Sequence, residues 1–492
     1  MKILFVSSEG LPYSKTGGLA DVVQALPKAL AEMGHEVAVL LPRYRGNRIT
    51  STLVSSVTIT MGDHLRFPAI AEGVSVGGVR YFFVVDRGYF DREQLYGEKG
   101  TDYPDNAERF AEFSRAAIEF VKRVWLPDVI HCHDWQTALI PLLLRTLHAD
   151  DPVARSLPVV LTIHNLAYQG LFPREALRST GLPESLFTFD RLEFYGNVNF
   201  LKGGILLADY LSTVSRRYAL EIQTPEYGSA LDGVIRERAD RLVGILNGVD
   251  YSIWSPEADT LIAHNYSAHN LDGKRLCKKD LLQYFKLPAD KPEHLERPMV
   301  GIVSRFADQK GFDLIAQVST EMMQENLSLV VLGTGQAEYE RLFRGMAERY
   351  PTRVGLKIGY DNQLAHKIEA GADMFLMPSR YEPCGLNQIY SLRYGTIPVV
   401  RATGGLDDTI QDFDSKTGEG TGFKFHSYDG ESLLEAVRAA LRAYREPKVW
   451  QQLQKNGMGK DFSWKASAAA YVTLYEAAKR SRIPQVARTS KR

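Results

Sequence analysis

The sequence has little cysteine. Three cysteines occur in 492 residues, Cys132, Cys277 and Cys384, and they lie too far apart to form a CxxC pair. A disulfide framework and a structural zinc site are therefore not expected, and a reducing compartment fits this composition.

The sequence also lacks an excess of either charge and any long apolar run. Lys plus Arg and Asp plus Glu both number 59, so the formal net charge is zero, which argues against a surface for nucleic acid. No apolar run reaches the roughly 18 residues that a membrane span requires. A strand pattern begins at Lys2 without a preceding signal peptide. We expect a cytoplasmic protein with no membrane partner.

What is present is an alternation of short apolar runs with amphipathic segments. KILFVSS is followed by LADVVQALPKALAEMG and then by HEVAVLLP, which is a βαβ pattern. Parallel strands joined by helices predict an α/β fold with covered sheets. Further strands are predicted, in chain order, at DVIHCH, PVVLTIHN, DYLSTVS, RLVGILNG, MVGIVSRF, LSLVVLG, RVGLKIGY, DMFLMPS and TIPVVRA.

The chain is too long for one hydrophobic core, so two large domains are expected. The strand pattern loosens over residues 255–297 and then restarts, which places the boundary near residue 250. We expect Rossmann-like domains at 1–250 and 251–460, a final helix at 461–480 and a flexible tail at 481–492. Residues 54–104 look like an antiparallel insertion.

Two glycine-rich turns follow predicted strands, one in each half of the chain. KTGGLADV near the start returns as ATGGLDDT at residues 402–409. Glycine permits close approach to the backbone, and unpaired N–H groups at a helix N-terminus suit phosphate. The pair of turns suggests a shared anion, with Lys15 in reach of it. A purely structural turn and a solvated lysine are the alternatives.

Charged residues follow two strands of the second half. Arg305 and Lys310 lie in SRFADQKGFD, and a guanidinium beside an ammonium is a good receptor for a diphosphate. Glu382 lies in PSRYEPCGL, where its carboxylate can accept hydrogen bonds from sugar hydroxyls. Cys384 could have a lowered pKa at a helix start, although packing is the favoured role because no histidine is nearby in sequence.

Histidines cluster after two strands of the first half. His131 and His133 share a strand face, which could suggest metal, but no second pair of ligands with metal spacing follows. We expect no metal and no cofactor. His164, at a strand end beside Asn165, is the better candidate for contact with substrate, and satisfied packing is the alternative.

Taken in order, these motifs resemble those of bacterial glycogen synthases and plant starch synthases. The blocks are SSE-x-x-P-x-x-KTGGLADV, HxHDW, TIHN-x-x-Y-Q-G, NG-x-D, SR-x-x-x-QKG and PSR-x-EPCGL, followed by TGGL-x-DT, and they run from residue 2 to about residue 475. The resemblance implies a GT-B fold. In that fold two Rossmann-like domains face each other across a deep cleft, and the C-terminal helix crosses back to the first domain.

The resemblance also implies an activity: retaining, metal-independent transfer of glucose from ADP-glucose to the non-reducing end of an α-1,4-glucan such as glycogen or a maltooligosaccharide. By the same resemblance, Arg305 and Lys310 bind the phosphates, Glu382 orients the donor glucose and His164 lies near the reacting sugar. The residues implied to bind substrate are Lys15, Gly18, Asp21, Asp134, Asn247, Tyr360, Cys384, Gly385, Leu386, Thr403, Gly404 and Gly405.

Other functions remain open on the sequence alone. A retaining GT-B enzyme that uses UDP-glucose or a small acceptor would carry similar motifs. A catalytically silent glucan-binding relative would be expected to lose Lys15, Arg305, Lys310 or Glu382, and all four are present. A phosphorylase would need a pyridoxal phosphate lysine in a much longer chain.

Overall fold

The fold is described from a computed structural model, and the description covers residues 1–98 and 100–482. From residue 483 onward, the tail expected at 481–492 lies outside the described residues. The strands are, in chain order, β1 (Lys2–Val6), β2 (Glu36–Pro42), β3 (Ser51–Val54), β4 (Ile59–Met61), β5 (His64–Arg66), β6 (Ala69–Glu72), β7 (Arg80–Val85), β8 (Gly97–Glu98), β9 (Thr101–Asp102), β10 (Val129–His133), β11 (Val159–Ile163), β12 (Leu171–Pro173), β13 (Glu193–Phe194), β14 (Asn197–Asn199), β15 (Tyr210–Thr213), β16 (Leu242–Gly244), β17 (Met299–Phe306), β18 (Ser328–Gly335), β19 (Val354–Ile358), β20 (Met374–Met377), β21 (Ile397–Arg401) and β22 (Phe423–Phe425).

Most of these strands are connected by helices. The α-helices are, in chain order, α1 (Gly18–Glu32), α2 (Arg87–Phe90), α3 (Asn106–Arg123), α4 (Leu139–Arg145), α5 (Pro152–Ser156), α6 (Ala176–Thr180), α7 (Phe200–Leu207), α8 (Arg216–Glu221), α9 (Asp232–Glu237), α10 (Asp272–Tyr284), α11 (Pro292–Glu296), α12 (Phe312–Gln324), α13 (Ala337–Arg349), α14 (Asn362–Gly371), α15 (Asn387–Arg393), α16 (Gly404–Thr409), α17 (Gly430–Tyr444), α18 (Pro447–Met458) and α19 (Trp464–Arg482).

The chain divides into two compact units. The first contains residues 1–214, 219–248 and the terminal helix α19, and the second contains residues 215–218 and 249–463. The chain passes between the units at Gly248 and again at Ser463. Each unit is built on its own sheet, in agreement with the predicted α/β class.

The first unit has a nine-stranded sheet in the order β16-β15-β11-β10-β1-β2-β7-β6-β3. Its strands from β16 to β7 are parallel, whereas β6 and β3 add to the edge antiparallel. The expectation of an antiparallel insertion at 54–104 is confirmed for the pairs β4–β5, β6–β7 and β8–β9. On its other side, however, β7 pairs in parallel with β2 and so belongs to the main sheet. The apolar run RYFFVV is buried within the main sheet, as parallel strands covered on both faces usually are.

Helices α1 and α19 cover one face of this sheet. The apolar side of α1 packs on β1 and β2, and α19 returns to the same cluster with Tyr471 and Tyr475 fully buried. The hydroxyl of Tyr475 is hydrogen-bonded to Nδ1 of His131 at 2.8 Å. The predicted return of the last helix to the first half of the chain is therefore seen in the packing of α19.

The second unit has a six-stranded parallel sheet in the order β19-β18-β17-β20-β21-β22. Its five longer strands are the five predicted apolar runs. The sequence pattern does not predict β22, because three residues carry too little periodicity. It also misses α10, a helix rich in charge whose Lys274 and Lys278 are nevertheless buried. No helix in the described part of the chain is long and apolar enough to cross a membrane.

Candidate active site

In the second unit, the predicted site residues follow parallel strands and so lie at one edge of the sheet. Arg305 is near the end of β17, and Tyr360 follows β19. Glu382 follows β20 and Thr403 follows β21. Ligands of open α/β sheets bind outside the carboxyl ends of the strands, so this edge is where a ligand is expected.

The structure brings Lys310 and Glu382 into direct contact. Lys310 ends a single 3-10 turn after β17, and its Nζ donates a hydrogen bond to Oε2 of Glu382 at 2.6 Å. Ser379 Oγ donates to the same oxygen at 3.0 Å. The Glu382 side chain is 7% exposed and that of Lys310 is 19% exposed. The carboxylate is thereby held in one orientation from two sides.

Backbone contacts tie the loops that carry these two residues to each other. The N–H of Arg380 donates to the carbonyl of Gln309 at 2.8 Å. Gly311 has φ +72°, and a Cβ there would lie 1.9 Å from the carbonyl oxygen of Pro378. Only glycine fits this close approach of the two loops, so the Gly in QKG serves the contact between the loops.

The EPCGL block forms a tight turn into α15. Gly385 has φ +68°, and Leu386 is the N-cap residue of α15. The side-chain amide of Gln388 donates to the carbonyls of Cys384 and Gly385 at 3.0 and 3.1 Å. Cys384 is 5% exposed, which favours the packing role that the sequence suggested for it.

The second TGGL turn is hydrogen-bonded to the loop that carries Glu382. Thr403 is the fully buried N-cap residue of the short helix α16, and Gly404 has φ +46°. The N–H of Gly405 donates to the carbonyls of Glu382 and Pro383 at 3.0 and 3.2 Å. This N–H group is therefore already used by the protein, which weakens the suggestion that both TGGL turns offer free donors to one anion.

Arg305 and Tyr360 remain at the surface of the same sheet edge. Arg305 is exposed and pairs in register with Thr334 of β18. Tyr360 is 82% exposed, after Gly359 with φ +131°. An exposed guanidinium and an exposed ring at this edge can contact a ligand without displacing any packed group.

In the first unit, the KTGGL turn is organised by a buried carboxylate that was not among the predicted site residues. Glu9, 4% exposed, accepts hydrogen bonds from the N–H and the hydroxyl of Thr16. Burial raises the pKa of Glu9, and the hydrogen bonds from Thr16 and Gly17 oppose that shift. The sequence signal for this contact was the position of Glu9 in the SSE block, seven residues before Thr16.

The same turn places Lys15 beside Asp21. Lys15 Nζ lies 2.7 Å from Oδ1 of Asp21, in the first turn of α1, and both side chains are about one-third exposed. A Cβ added at Gly17 or Gly18 would meet no atom within 4 Å. The start of α1 is thus open, unlike the second TGGL turn.

His164 and Asp134 meet at the ends of β10 and β11. Oδ1 of Asp134 accepts the backbone N–H of His164 at 2.7 Å, and Asp134 also accepts from Asn165. Asp134 has φ +54°, an uncommon conformation for a non-glycine residue. Burial lowers the pKa of His164 to about 3 and raises that of Asp134 to about 7. The imidazole is therefore neutral at ordinary pH.

The other two histidines are buried, and each has its own hydrogen-bond partners. His131 is bonded to Thr162 at 2.6 Å and, as noted, to Tyr475. His133 Nδ1 lies 3.0 Å from Nε2 of His164. Burial lowers the pKa of His131 and His133. Within residues 1–98 and 100–482, no cluster of three or more His, Cys, Asp or Glu side chains could hold a metal ion.

Asn247 follows β16 at the same edge of the first sheet. It is 6% exposed, and its Oδ1 is buried without a hydrogen-bond partner in the structure. A buried acceptor without a partner costs free energy, about 1–3 kcal/mol, so Asn247 is suited to receive a hydroxyl from a ligand. The first unit therefore brings Lys15 together with Asp21 and Asp134 together with His164.

Two known protein families match this chain. A family profile described as the starch synthase catalytic domain matches residues 2–237, and one described as glycosyl transferases group 1 matches residues 285–457. The chain is 57% identical to a glycogen synthase of Koribacter versatilis, over 98% of this chain and 99% of that protein. It is 45% identical to glycogen synthase 2 of Geobacter sulfurreducens, over 97% and 99%.

Two solved structures extend the comparison to the fold. The catalytic domain of starch synthase IV from Arabidopsis thaliana, bound to ADP and acarbose, matches with a TM-score of 0.87 and 34% identity, over 97% of this chain and 99% of that one. The expected GT-B fold is thereby confirmed. A sucrose-phosphate synthase from Thermosynechococcus elongatus, at 19% identity, has a TM-score of 0.61 over 98% of this chain and 99% of that chain and shares the fold alone.

Proposed function

The chain belongs to the family of glycogen and starch synthases, and from that membership we propose that it elongates an α-1,4-glucan. In this proposal ADP-glucose is the donor, the non-reducing 4-hydroxyl of glycogen or a maltooligosaccharide is the acceptor, and the anomeric configuration is retained. We further propose that it acts in the cytoplasm, without nucleic acid or membrane partners.

The observation that carries the proposal is the meeting of Lys310 and Glu382 at the sheet edge that also holds Arg305. When a glycosyl–phosphate bond breaks, negative charge develops on the diphosphate and positive charge on the sugar. The two cations stabilise the first charge and the carboxylate stabilises the second. Preorganised groups of this kind are often the largest catalytic contribution, roughly 3–4 kcal/mol for a key donor.

We assign no nucleophile to the reaction. A double displacement needs a carboxylate free to attack the anomeric carbon, and inversion needs a base on the opposite face of the sugar. Glu382 is held by Lys310 and Ser379, which suits an orienting role better than attack. We therefore favour substitution on one face of the sugar, with the departing diphosphate helping to deprotonate the acceptor.

We assign the first-unit residues to the substrates from the motifs that they share with the family. Lys15 and the open start of α1 serve the diphosphate, because anions are favoured at a helix N-terminus. Asp134, His164 and Asn247 serve sugar hydroxyls. His164, being neutral, contributes hydrogen bonds rather than charge. No metal or cofactor is assigned, since guanidinium and ammonium groups supply the positive charge that the leaving group requires.

The experiment that tests this proposal measures transfer of labelled glucose into glycogen by the purified protein. ADP-glucose should give a larger kcat/KM than UDP-glucose, and EDTA should not reduce the rate. Arg305→Ala should abolish most activity, whereas Arg344→Ala, a matched exposed arginine on α13, should not. Preference for UDP-glucose, or a requirement for a small acceptor, would favour the alternative retaining glucosyltransferase. Failure to transfer from either donor would favour a silent glucan-binding protein.

A further inference from the structure

Trp254 is the central ring in a stack of three aromatic rings of the second unit. Trp254 lies between His366 of α14 and Tyr390 of α15. Its ring centroid is 3.7 Å from that of His366, with planes 12° apart, and 3.9 Å from that of Tyr390, with planes 4° apart. Both faces of the indole are thus covered.

A buried carboxylate fixes one outer member of this stack, His366, together with the neighbouring Tyr394. Oδ2 of Asp259 is hydrogen-bonded to Nδ1 of His366 at 2.7 Å and accepts the hydroxyl of Tyr394 at 2.5 Å. Asp259, His366 and Tyr394 are each 5% exposed or less. The orientation of the imidazole against Trp254 is therefore set by Asp259, five residues further along the same segment.

Residues 251–259 also hold α15 by its second turn. The guanidinium of Arg393 donates to Oγ of Ser255 at 3.2 Å and lies 4.9 Å from the ring of Tyr251. Together with the contacts of Tyr390 and of the C-cap residue Tyr394, this one segment fixes two residues of α15 and the residue that ends it. A helix of seven residues has little stability by itself, so its position depends on such contacts.

The other end of α15 is the EPCGL turn. Leu386 is its N-cap residue, and the side chain of Asn387 donates to the carbonyl of Val303 in β17 at 2.7 Å. Any shift or rotation of α15 would therefore move the N–H groups of Gly385 and Leu386 relative to β17, near whose end Arg305 lies.

We propose that Trp254 is a positioning residue for the donor substrate. By stacking between α14 and α15, it fixes α15 and with it the EPCGL turn, which begins with Glu382, the partner of Lys310. The inference rests on the proposed function, because it takes the Lys310–Glu382 pair as part of the donor site. Trp254 itself need not touch the donor.

The test compares Trp254→Leu with Trp254→Phe and with a matched control, Trp450→Leu. Trp450 is a buried tryptophan of the same unit that packs on Tyr444 and is not part of the ring stack. Trp254→Leu should raise both KM for ADP-glucose and Kd for ADP about tenfold, since small misplacements of binding groups are costly, and should leave KM for glycogen unchanged. Trp254→Phe should recover most of the affinity, because a ring still stacks.

If Trp254 only stabilised the fold, its replacement would lower the melting temperature and leave the ADP affinity unchanged. Trp450→Leu should lower the melting temperature without changing the Kd for ADP. If Trp254→Leu lowers the melting temperature equally but binds ADP like the wild type, the inference is wrong, as it is if KM for glycogen rises in parallel. Should Trp254→Leu not fold, Tyr390→Leu removes the stack from the α15 side, and its ADP affinity decides the question.

These outcomes separate this inference from the proposed function. If the wild type binds ADP but transfers no glucose from ADP-glucose, the proposed function fails, and the ADP affinities of the variants still test the role of Trp254. If the wild type is active and Trp254→Leu has normal ADP affinity, only the positioning role fails.

Discussion

Lys310 Nζ and Glu382 Oε2 lie 2.6 Å apart although their loops follow different strands of the second sheet. The ion pair orients both side chains. Glu382 is held further by a hydrogen bond from Ser379, and its side chain is nearly buried. Removing one partner leaves the other uncompensated in a partly buried site, which costs about 3–5 kcal/mol in fully buried pairs. Stability and activity therefore have to be measured separately here.

We expect Lys310→Met to lower kcat by roughly 10²–10³, because charge stabilisation of the leaving diphosphate is lost. Lys310→Arg should recover only part of the rate, since a planar guanidinium does not reproduce the point charge of an ammonium. Initial rates at saturating ADP-glucose give the measurement. The double variant Lys310→Met/Glu382→Gln should regain thermal stability but not activity; recovery of activity would show that Lys310 acts only through the fold.

Glu382→Gln should retain more turnover than Glu382→Ala. The amide can still accept a hydrogen bond from a sugar hydroxyl, whereas the methyl group of alanine cannot. Single-turnover rates of the two variants provide the comparison, with circular dichroism as the control for folding. A covalent glucosyl adduct on Glu382, detected by mass spectrometry of the quenched wild-type enzyme, would contradict the orienting role and establish a double displacement.

The two TGGL turns should respond differently to the same substitution. A Cβ at Gly405 would lie 1.9 Å from the carbonyl oxygen of Cys384, while one at Gly18 meets no atom within 4 Å. Gly405→Ala should therefore lower the melting temperature markedly, and Gly18→Ala should fold like the wild type. If the diphosphate approaches the start of α1, Gly18→Ala should still raise KM for ADP-glucose. Equal thermal stability of the two variants would show that the second turn is not close-packed.

The pH dependence of the free energy of unfolding should report the titration of Asp134. Its pKa is about 7 in the folded protein against 3.8 for an unperturbed carboxyl, so the folded state binds the proton more tightly than the unfolded state. The wild type should then lose stability relative to Asp134→Asn as the pH rises from about 4 to about 7, by at most about 1.4 kcal/mol per pH unit. Urea unfolding of both proteins across this range measures the difference.

Activity should change in the opposite direction over part of that range. If the ionised carboxylate of Asp134 accepts sugar hydroxyls, kcat/KM should rise through pH 7 in the wild type, because hydrogen bonds to a charged acceptor are stronger. Asp134→Asn should show a flat profile near pH 7. A rise near pH 7 that persists in Asp134→Asn would assign the titration to another group.

The sequence by itself determined the predicted strands of both sheets, the position of the glycine-rich turns and the residues that end each strand. These features depend on local patterns: continuous apolar runs form parallel strands buried on both faces, and Gly-Gly pairs precede helices. The placement of Arg305, Lys310 and Glu382 at one edge also follows, since parallel strands end together. Even so, the parallel pairing of β7 with β2 was not predicted, because strand partners are chosen over long separations in sequence.

The tertiary structure alone decided which of these residues meet. The two turns share the residues TGGL, so their sequence does not distinguish them. Yet the N–H of Gly405 donates to carbonyls of the Glu382 loop, while the start of α1 stays open. The Lys310–Glu382 pair joins residues 72 positions apart, and the stack on Trp254 joins residues of two later helices. Such contacts depend on packing between elements, and a chain's local preferences carry no information about the distance between two side chains that folding brings together.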